Sequence, residues 1–328
     1  MKAIVYTKYG PPEVLRLEEV AKPVIKDNEV LVRVKATTVN RTDCAILRAK
    51  PFIMRFGTGL FSPKRPIPGT EFAGEVEAVG KAVVSFKAGD KVFGFEDMGL
   101  SAYAEYMTIA EHKALAIMPR DLNYLQVAGS IEGAHYAYNM INKVNLKAGQ
   151  SVLVNGATGA IGSAAVQLLK YFGADITAVC NTKNIELVRS LGAGRVIDHT
   201  IADFTKEDHK YDFIFDAVGK SSFAKCKPLL NPGGRYLSSE PGRMAQNIFF
   251  ALISPLMGSK KVIFPIPRDI KASITLIKKL MEEGKFKAVT DRVYPLEKIA
   301  EAFSYVETGQ KTGSVVISLE DQNLLTVQ

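Results

Sequence analysis

Few cysteines, few histidines and the absence of a long apolar run exclude several classes of protein. The three cysteines, at positions 44, 180 and 226, are too scattered for a disulfide framework or a cysteine-rich zinc site. The most apolar run, residues 248–257, is interrupted by Pro255 and is well short of the roughly 20 residues that span a bilayer. The N-terminus is charged early and has no signal-peptide pattern. We therefore expect a cytoplasmic protein without a membrane span.

The chain of 328 residues has a net charge of +8 and is 47% hydrophobic and 23% charged. This composition is typical of a soluble globular chain rather than a disordered one. Basic charge suits nucleic acid, a membrane surface or an anionic ligand. Lysine and arginine are spread along the chain, and no recognised nucleic-acid motif is present. We therefore expect no nucleic-acid partner and a basic surface that attracts a phosphorylated cofactor.

A strand, a glycine-rich turn and a helix follow one another between residues 151 and 172. Ser151–Val154 suits a strand buried on both faces, and glycines follow at 156, 159 and 162. Apolar residues at helical spacing then continue to Phe172. Such a turn sets backbone N–H groups and a helix N-terminus against a pyrophosphate. The GxxGxxG spacing alone also fits an ordinary turn that binds nothing, but the context favours dinucleotide binding.

The predicted secondary structure changes near residue 121. Before it, short strands with Gly and Pro between them predict a partly open β-barrel, and residues 50–68 predict a long loop. After a helix predicted over 125–144, strands alternate with helices and predict a doubly wound parallel sheet. The last short strands, after an amphipathic helix at 269–283, fit better with the barrel. We predict an α/β protein with segments 1–122, 123–268 and 269–328, the last completing the first domain.

The end of the second strand of this sheet predicts which dinucleotide is bound. A free ribose 2′-hydroxyl is usually bound by an acidic residue there, but residues 179–183 contain none. Thr182 supplies a hydroxyl and Lys183 a positive charge, which match an added phosphate. The alternative is a surface lysine at the start of a helix. The sequence therefore predicts NADPH rather than NADH.

Short motifs along nearly the whole chain resemble those of the medium-chain dehydrogenase/reductase superfamily, in its zinc-free branch of quinone oxidoreductases and enone reductases. They are Val39-Asn-Arg-Thr-Asp43, Pro68-Gly-Thr-Glu-Phe-Ala-Gly74, Ala88-Gly-Asp-Lys-Val92, Tyr103-Ala-Glu-Tyr106, Gly156-Ala-Thr-Gly-Ala-Ile-Gly162, Asp216-Ala-Val-Gly219 and Asn231-Pro-Gly-Gly234. The resemblance implies a GroES-like barrel domain and a Rossmann domain that binds NADPH. It also implies hydride transfer to a quinone or an α,β-unsaturated carbonyl.

Asn40 and Thr70 stand where zinc-dependent relatives carry a cysteine and a histidine. Catalytic zinc needs three protein ligands of cysteine, histidine or carboxylate type, and Glu71 alone does not hold it. We expect no metal. Reduction of a conjugated acceptor spreads charge to the acceptor oxygen, so hydrogen bonds suffice, with a proton from water. The resemblance implies that Asn40 donates to that oxygen and that Asp43 holds the loop or the cofactor ribose. Turn structure is the alternative for both residues.

The resemblance also carries cofactor contacts to particular positions. It implies pyrophosphate contacts along the turn, adenosine contacts at the next strand ends, nicotinamide contacts at two later strand ends, and a return to the cofactor near the C-terminus. In that order the residues are Thr158, Gly159, Ala160 and Ile161; Thr182, Lys183 and His199; Val218, Leu237 and Ser238; and Lys311 and Gly313.

Several alternatives stay open from the sequence. The chain is an NADPH-dependent reductase of a small hydrophobic carbonyl or quinone, or an NADPH-binding protein with little turnover, such as a redox sensor or a nucleic-acid or partner-binding module. The apolar loop at 50–68 either lines a pocket for a hydrophobic acceptor or packs on the barrel. The resemblance also implies a homodimer formed through an edge strand at Lys261–Pro265.

Overall fold

The computed structural model describes residues 1–52, 54–242, 245–256 and 258–320. The described chain divides into two compact units. Unit 1 contains residues 1–131, 270–283 and 287 onwards, and unit 2 contains residues 132–269 and 284–286. As domains, the predicted segments 1–122, 123–268 and 269–328 remain a prediction.

The helices and strands lie as follows. The strands are β1 (Lys2–Val5), β2 (Arg16–Glu19), β3 (Glu29–Val39), β4 (Glu71–Val79), β5 (Lys91–Phe95), β6 (Tyr106–Ala110), β7 (Leu115–Ile117), β8 (Ser151–Asn155), β9 (Asp175–Cys180), β10 (Arg195–Asp198), β11 (Tyr211–Asp216), β12 (Leu230–Ser238), β13 (Lys261–Ile263), β14 (Thr290–Pro295) and β15 (Ser314–Ser318). The helices are α1 (Arg41–Arg48), α2 (Met54–Thr58), α3 (Tyr124–Ala128), α4 (Glu132–Val144), α5 (Ala160–Tyr171), α6 (Ile185–Leu191), α7 (Phe223–Cys226), α8 (Gln246–Ile253), α9 (Ile270–Glu282) and α10 (Ile299–Glu307).

Unit 1 is built on a sheet in the order β14-β15-β3-β4-β5-β7, and β6 also pairs with β3. The strand β3 is central because it pairs with β15, β4 and β6. Its residues Val30, Val32 and Val34 all face the core, as their alternation predicts. The C-terminal strand β15 pairs antiparallel with β3, with Val315 opposite Val39. The strands β14 and β15 therefore lie in the same sheet as β3.

Unit 2 is built on a parallel sheet in the order β10-β9-β8-β11-β12-β13. The chain runs outwards from β8 in one direction through β9 and β10, and then in the other through β11, β12 and β13. This reversal is the doubly wound pattern, so the predicted fold class is confirmed. Because parallel strands end at the same edge, the turns after β8, β9, β10, β11 and β12 share that edge.

The helix predicted over 125–144 is two helices, α3 and α4, separated at Gly129–Ile131. The amide of Ile131 donates to the carboxylate of Glu71 at 2.6 Å instead of continuing a helix. A side chain on Gly129 would contact Ser314 at 2.8 Å, so the chain also approaches β15 closely at this point. The sequence pattern missed the break because a buried carboxylate, distant in sequence, takes over the backbone donor.

Candidate active site

The turn between β8 and α5 has the backbone geometry that its glycines predict. Gly156 has φ +78°, and a Cβ there would lie 2.3 Å from Val218 Cγ1. A Cβ on Gly162 would lie 2.0 Å from the Gly156 carbonyl oxygen, so this glycine lets the helix pack against the turn. A Cβ on Gly159, the N-cap of α5, would meet only the Gly156 oxygen, at 3.9 Å. Space is therefore open only at the middle glycine.

An anionic group fits beside this open glycine. The residues predicted to touch pyrophosphate, Thr158 to Ile161, are half-buried and run from the turn into the first turn of α5. Backbone N–H groups at a helix N-terminus carry partial positive charge and suit phosphate oxygens. The turn therefore fits a dinucleotide, although contacts with one remain a prediction.

The exposed residues after β9 and β10 form a second part of the edge. Thr182 and Lys183 follow β9 and are exposed, and within the described part of the chain no acidic group pairs with Lys183. His199 follows β10, is exposed, and donates its amide to the Cys180 carbonyl at 2.9 Å. The structure thus places Thr182, Lys183 and His199 at neighbouring strand ends, and their contact with an adenosine group remains a prediction.

Asp198, at the end of β10, is a residue that the sequence analysis missed. Its carboxylate accepts the amide and the hydroxyl of Thr200, at 2.9 and 2.7 Å, and Thr200 contacts Thr182 at 3.0 Å. Hydrogen bonds from Thr182 and Thr200 hold the pKa of Asp198 below its usual value. The acid is buried and its partners are local, so Lys183 supplies the exposed charge here. The position of Asp198 at the end of the third strand of this sheet along the chain was the sequence signal that could have identified it.

Asp216, which the sequence analysis named in a motif without giving it a role, organises the turn after β11. Its fully buried carboxylate accepts Asn155 Nδ2 at 3.0 Å, the Tyr236 hydroxyl at 2.8 Å and the Gly219 amide at 3.0 Å. Burial, and then the charge of Asp216, raise the pKa of Tyr236. These contacts tie the ends of β8, β11 and β12 together and fix the turn that carries Val218.

Leu237 and Ser238 end β12 beside Asp216, where Asp216 pairs with Ser238. Both are fully buried, and the Ser238 hydroxyl donates to the Glu240 carbonyl at 3.1 Å. Val218 is half-buried on the neighbouring turn. The structure brings the three residues predicted near the nicotinamide to adjacent strand ends, and their contact with it remains a prediction.

In unit 1, Asn40 and Asp43 belong to a buried polar cluster at the start of α1. The Asn40 amide donates to Asp43 Oδ2 at 2.8 Å, and the Thr70 hydroxyl donates to Asp43 Oδ1 at 3.1 Å. The side-chain amide of Asn40 donates to Thr38 Oγ1 at 3.2 Å, while its Oδ1 accepts the Lys311 ammonium at 3.3 Å. Thr38 and Lys311 together fix which end of the amide is the oxygen.

Burial dominates the electrostatics of Asp43. It raises the pKa of this carboxyl to about 6, against the opposing effect of hydrogen bonds from the Asn40 amide, Tyr103 and Thr70. Asn40 and Asp43 thus serve helix-start structure, which the sequence analysis kept as an alternative. The cluster leaves Asn40 in a fixed orientation.

Lys311 and Gly313, predicted at the cofactor, lie beside this cluster. Besides Asn40, the Lys311 ammonium donates to the Gly313 carbonyl. Gly313 has φ +72°, and a Cβ there would lie 2.0 Å from the Val289 carbonyl oxygen. Gly313 therefore has a backbone role, and a cofactor contact by either residue remains a prediction.

The donor set of the cluster does not fit a catalytic zinc ion. Asn40 and Thr70 offer an amide and a hydroxyl, and Glu71 accepts the Ile131 amide and the Thr38 hydroxyl, at 2.6 and 3.2 Å. Burial raises the pKa of the nearby Cys44 thiol, which disfavours the thiolate that binds metal. Across the residues with described positions, no group of three or more histidine, cysteine or carboxylate side chains is arranged to hold a metal.

Family models match both units of the chain. Residues 26–121 match the alcohol dehydrogenase GroES-like domain, and residues 191–317 match the zinc-binding dehydrogenase model. An NADPH-dependent alkenal/one oxidoreductase of Arabidopsis thaliana is 33% identical over 97% of this chain and 79% of its own. A human quinone oxidoreductase is 32% identical over 97% of this chain and 98% of its own.

The chain belongs to the medium-chain dehydrogenase/reductase superfamily, in its quinone-oxidoreductase-like branch. A quinone oxidoreductase structure from Coxiella burnetii has the same fold, with a TM-score of 0.84 and 24% identity over 98% of this chain and 99% of its own. The family resemblance is therefore confirmed, and the protein is an oxidoreductase. This superfamily typically binds a nicotinamide cofactor. Where helices are described, none is long and apolar enough to cross a membrane.

Proposed function

We propose that this protein is an NADPH-dependent oxidoreductase that reduces a quinone or an α,β-unsaturated carbonyl compound without zinc. Relatives named for quinones and for alkenals support the acceptor class. The observation that carries the cofactor choice is the exposed ammonium of Lys183, which no acid neutralises within the described chain. A phosphate on the ribose would supply the negative charge that pairs with this ammonium.

The cofactor is proposed to bind along the carboxyl edge of the sheet in unit 2. The open Gly159 and the N-terminus of α5 bind the pyrophosphate, while Thr182 and Lys183 bind the ribose phosphate. Asp216 keeps the turn at Val218 in place by accepting hydrogen bonds from Asn155, Tyr236 and the backbone amides of the turn. When bound, NADPH supplies the hydride.

The acceptor oxygen is proposed to receive a hydrogen bond from Asn40. Thr38 and Lys311 hold the Asn40 amide in one orientation, which lowers the cost of ordering a donor during the reaction. Reduction of a conjugated acceptor places charge on an oxygen that such donors stabilise, so a Lewis acid is not required. Asp43 is proposed to act as a positioning residue, because its carboxylate accepts the backbone N–H of Asn40. Water is proposed to supply the proton.

The test is NADPH oxidation with a water-soluble quinone and, separately, with a short enone, in the presence of a chelator. NADH is assayed beside it, and binding of both cofactors is measured by calorimetry. We expect turnover with NADPH and much less with NADH. Tight NADPH binding without turnover on either acceptor would support the binding-protein alternative. Loss of activity in chelator, restored by zinc, would contradict the metal-free proposal.

We also propose a cytoplasmic homodimer that forms through β13. This strand lies at the edge of the sheet and pairs on one side with β12. An unpaired strand edge is a template for another strand, and a second copy would cover it. Light scattering tests this, and a monomer at micromolar concentration would contradict it. Of the predicted edge Lys261–Pro265, the structure forms a strand over Lys261–Ile263.

A further inference from the structure

A cluster of exposed apolar side chains lies on one loop of unit 1. We call residues 50–65 the aromatic loop; Ile53 is outside the described residues. Large apolar side chains of this loop point to solvent, and Phe61 is 89% exposed; the others are Phe52, Phe56 and Leu60. Packing on the barrel does not account for side chains this exposed. Clustered exposed apolar groups mark a surface that another apolar phase covers.

The aromatic loop is folded, so its exposed side chains are not a result of missing contacts. The Tyr9 hydroxyl donates to the Gly59 carbonyl at 2.7 Å and contacts Thr58 Oγ1 at 2.8 Å. The Lys64 amide donates to the Thr58 carbonyl at 2.8 Å, which closes the loop. The backbone therefore holds the phenylalanines outwards.

Side chains at the base of the loop support the same arrangement. Arg55 lies over the Tyr9 ring at 4.9 Å and over the Phe52 ring at 5.6 Å. The Phe52 and Phe56 rings meet edge to face at 6.2 Å. The Phe52–Phe56 pair is thus preformed, and docking would cost little ordering of these two side chains.

The charged residues of the loop segment itself are all basic, although Glu307 lies near Lys50 and Arg48. Residues 44–70 contain five basic residues and no acidic one. Of the basic residues, Lys50, Lys64 and Arg65 are exposed around the phenylalanines, whereas Arg48 pairs with Glu307 at 2.6 Å. Exposed aromatic side chains surrounded by lysine and arginine match the interface of an anionic lipid bilayer.

A second exposed apolar surface lies in unit 2. In and just after α8, Phe249, Leu252 and Leu256 are also exposed. Residues 244–259 contain no charged residue. That stretch has exposed apolar side chains without a charge of its own, so it serves as a control for apolar exposure alone.

We propose that the aromatic loop docks on the surface of an anionic lipid bilayer. Phe52, Phe56 and Phe61 enter the interface, and Lys50 and Lys64 lie among the headgroups. The arrangement brings the protein to the phase in which a hydrophobic acceptor dissolves. The inference does not depend on the proposed function, because lipid binding is measured without cofactor or turnover.

The first experiment is flotation of the full chain with phosphatidylcholine vesicles, with and without phosphatidylglycerol. We expect binding to the anionic vesicles that weakens as salt rises. The double variant Phe52→Ser and Phe61→Ser should reduce the partition coefficient at least about tenfold, because each side chain loses apolar burial. The double variant Lys50→Glu and Lys64→Glu should reduce it by more than about tenfold on anionic vesicles only.

Matched controls separate the loop from general surface effects. Leu252→Ser with Leu256→Ser removes equally exposed apolar side chains, and Lys206→Glu with Lys210→Glu reverses two exposed charges elsewhere. Both should float as the unaltered protein does. Circular dichroism melting checks that each variant folds.

A second measurement uses the absence of tryptophan from the chain. Phe61→Trp supplies the sole indole, whose emission should shift to the blue and be quenched by brominated lipid when anionic vesicles are added. Leu256→Trp should show neither change. Failure of the unaltered protein to float with anionic vesicles, or flotation that the loop variants leave unchanged, would overturn the proposal. A raised KM for a soluble quinone in the phenylalanine variant, without flotation of the unaltered protein, would assign the loop to a pocket.

Discussion

Two polar regions of the molecule differ in how their side chains are held. Around Asn40, the side chains of Asn40, Asp43 and Thr70 are buried and hydrogen-bonded to neighbours, and burial raises the pKa of the Asp43 carboxyl. After β9, Thr182 and Lys183 are exposed, and Lys183 has no acidic partner within the described chain. The first region is organised before any ligand arrives. The second region presents the positive charge of Lys183, which a negatively charged ligand would pair with.

This difference predicts where substitutions act. A buried cluster couples to folding, since each lost partner leaves another group unsatisfied in a dry environment. Substitution of an exposed lysine should change ligand affinity and not stability, because water hydrates its ammonium in the free protein. The predictions below test that division, beginning with the largest effect.

Lys183→Glu gives the largest expected effect. A carboxylate facing the ribose phosphate replaces attraction with repulsion, so the Kd for NADPH should rise about a hundredfold. The Kd for NADH should stay within about twofold, and calorimetry measures both. Lys206→Glu, an exposed charge reversal elsewhere in unit 2, is the control. Equal weakening of both cofactors would break the comparison, because Lys183 would then act on the fold.

The pH dependence of stability should report Asp43. Its pKa in the folded protein, about 6, exceeds its usual 3.8, so the folded state holds this proton more tightly than the unfolded chain does. The contribution to stability is full below about pH 4 and is lost as the pH rises through about 6, by about 3 kcal/mol. Urea unfolding at several pH values measures the slope. Asp43→Asn should abolish this component, whereas exposed Asp208→Asn should keep it.

Lys311→Met tests whether orientation of Asn40 matters for turnover. Removal of the ammonium frees the Asn40 amide to rotate, so kcat with a quinone should fall about tenfold while KM for the quinone changes little. The free energy of unfolding should change by less than about 1 kcal/mol, because Lys311 is only half-buried. Lys298→Met, on an exposed turn, is the control. A rise in the Kd for NADPH instead would place Lys311 at the cofactor, as the family resemblance implies.

Thr182→Val gives the smallest expected effect. It removes the hydroxyl that contacts Thr200 at 3.0 Å and is proposed to bind the phosphate. The Kd for NADPH should rise about threefold to tenfold, as expected for one exposed hydrogen bond. Thermal unfolding should shift little, because the side chain is exposed. A large loss of stability would show that the Thr182, Thr200 and Asp198 network is structural.

Local pattern predicted much of this molecule. The glycines at 156, 159 and 162 carry their own backbone requirements, so the strand, turn and helix were readable from spacing. The absence of an acidic residue at 179–183 and the presence of Lys183 could likewise be read directly from the sequence. The cluster residues Asn40 and Asp43 were found through motifs, but the contact of Asn40 with Lys311 was not. Lys311 is far away in sequence, and no periodicity relates it to Asn40.

The sequence by itself determined the alternation of strands and helices in unit 2, the doubly wound sheet and the glycine-rich turn after β8. Each depends on neighbours within a few positions, where propensity and spacing act directly. Only the tertiary structure decided that α3 and α4 are separate, that Asp216 ties three strand ends together, and that the phenylalanines of the aromatic loop face outwards. These outcomes depend on which distant group satisfies a buried donor or covers an apolar face, and a linear pattern does not record that choice.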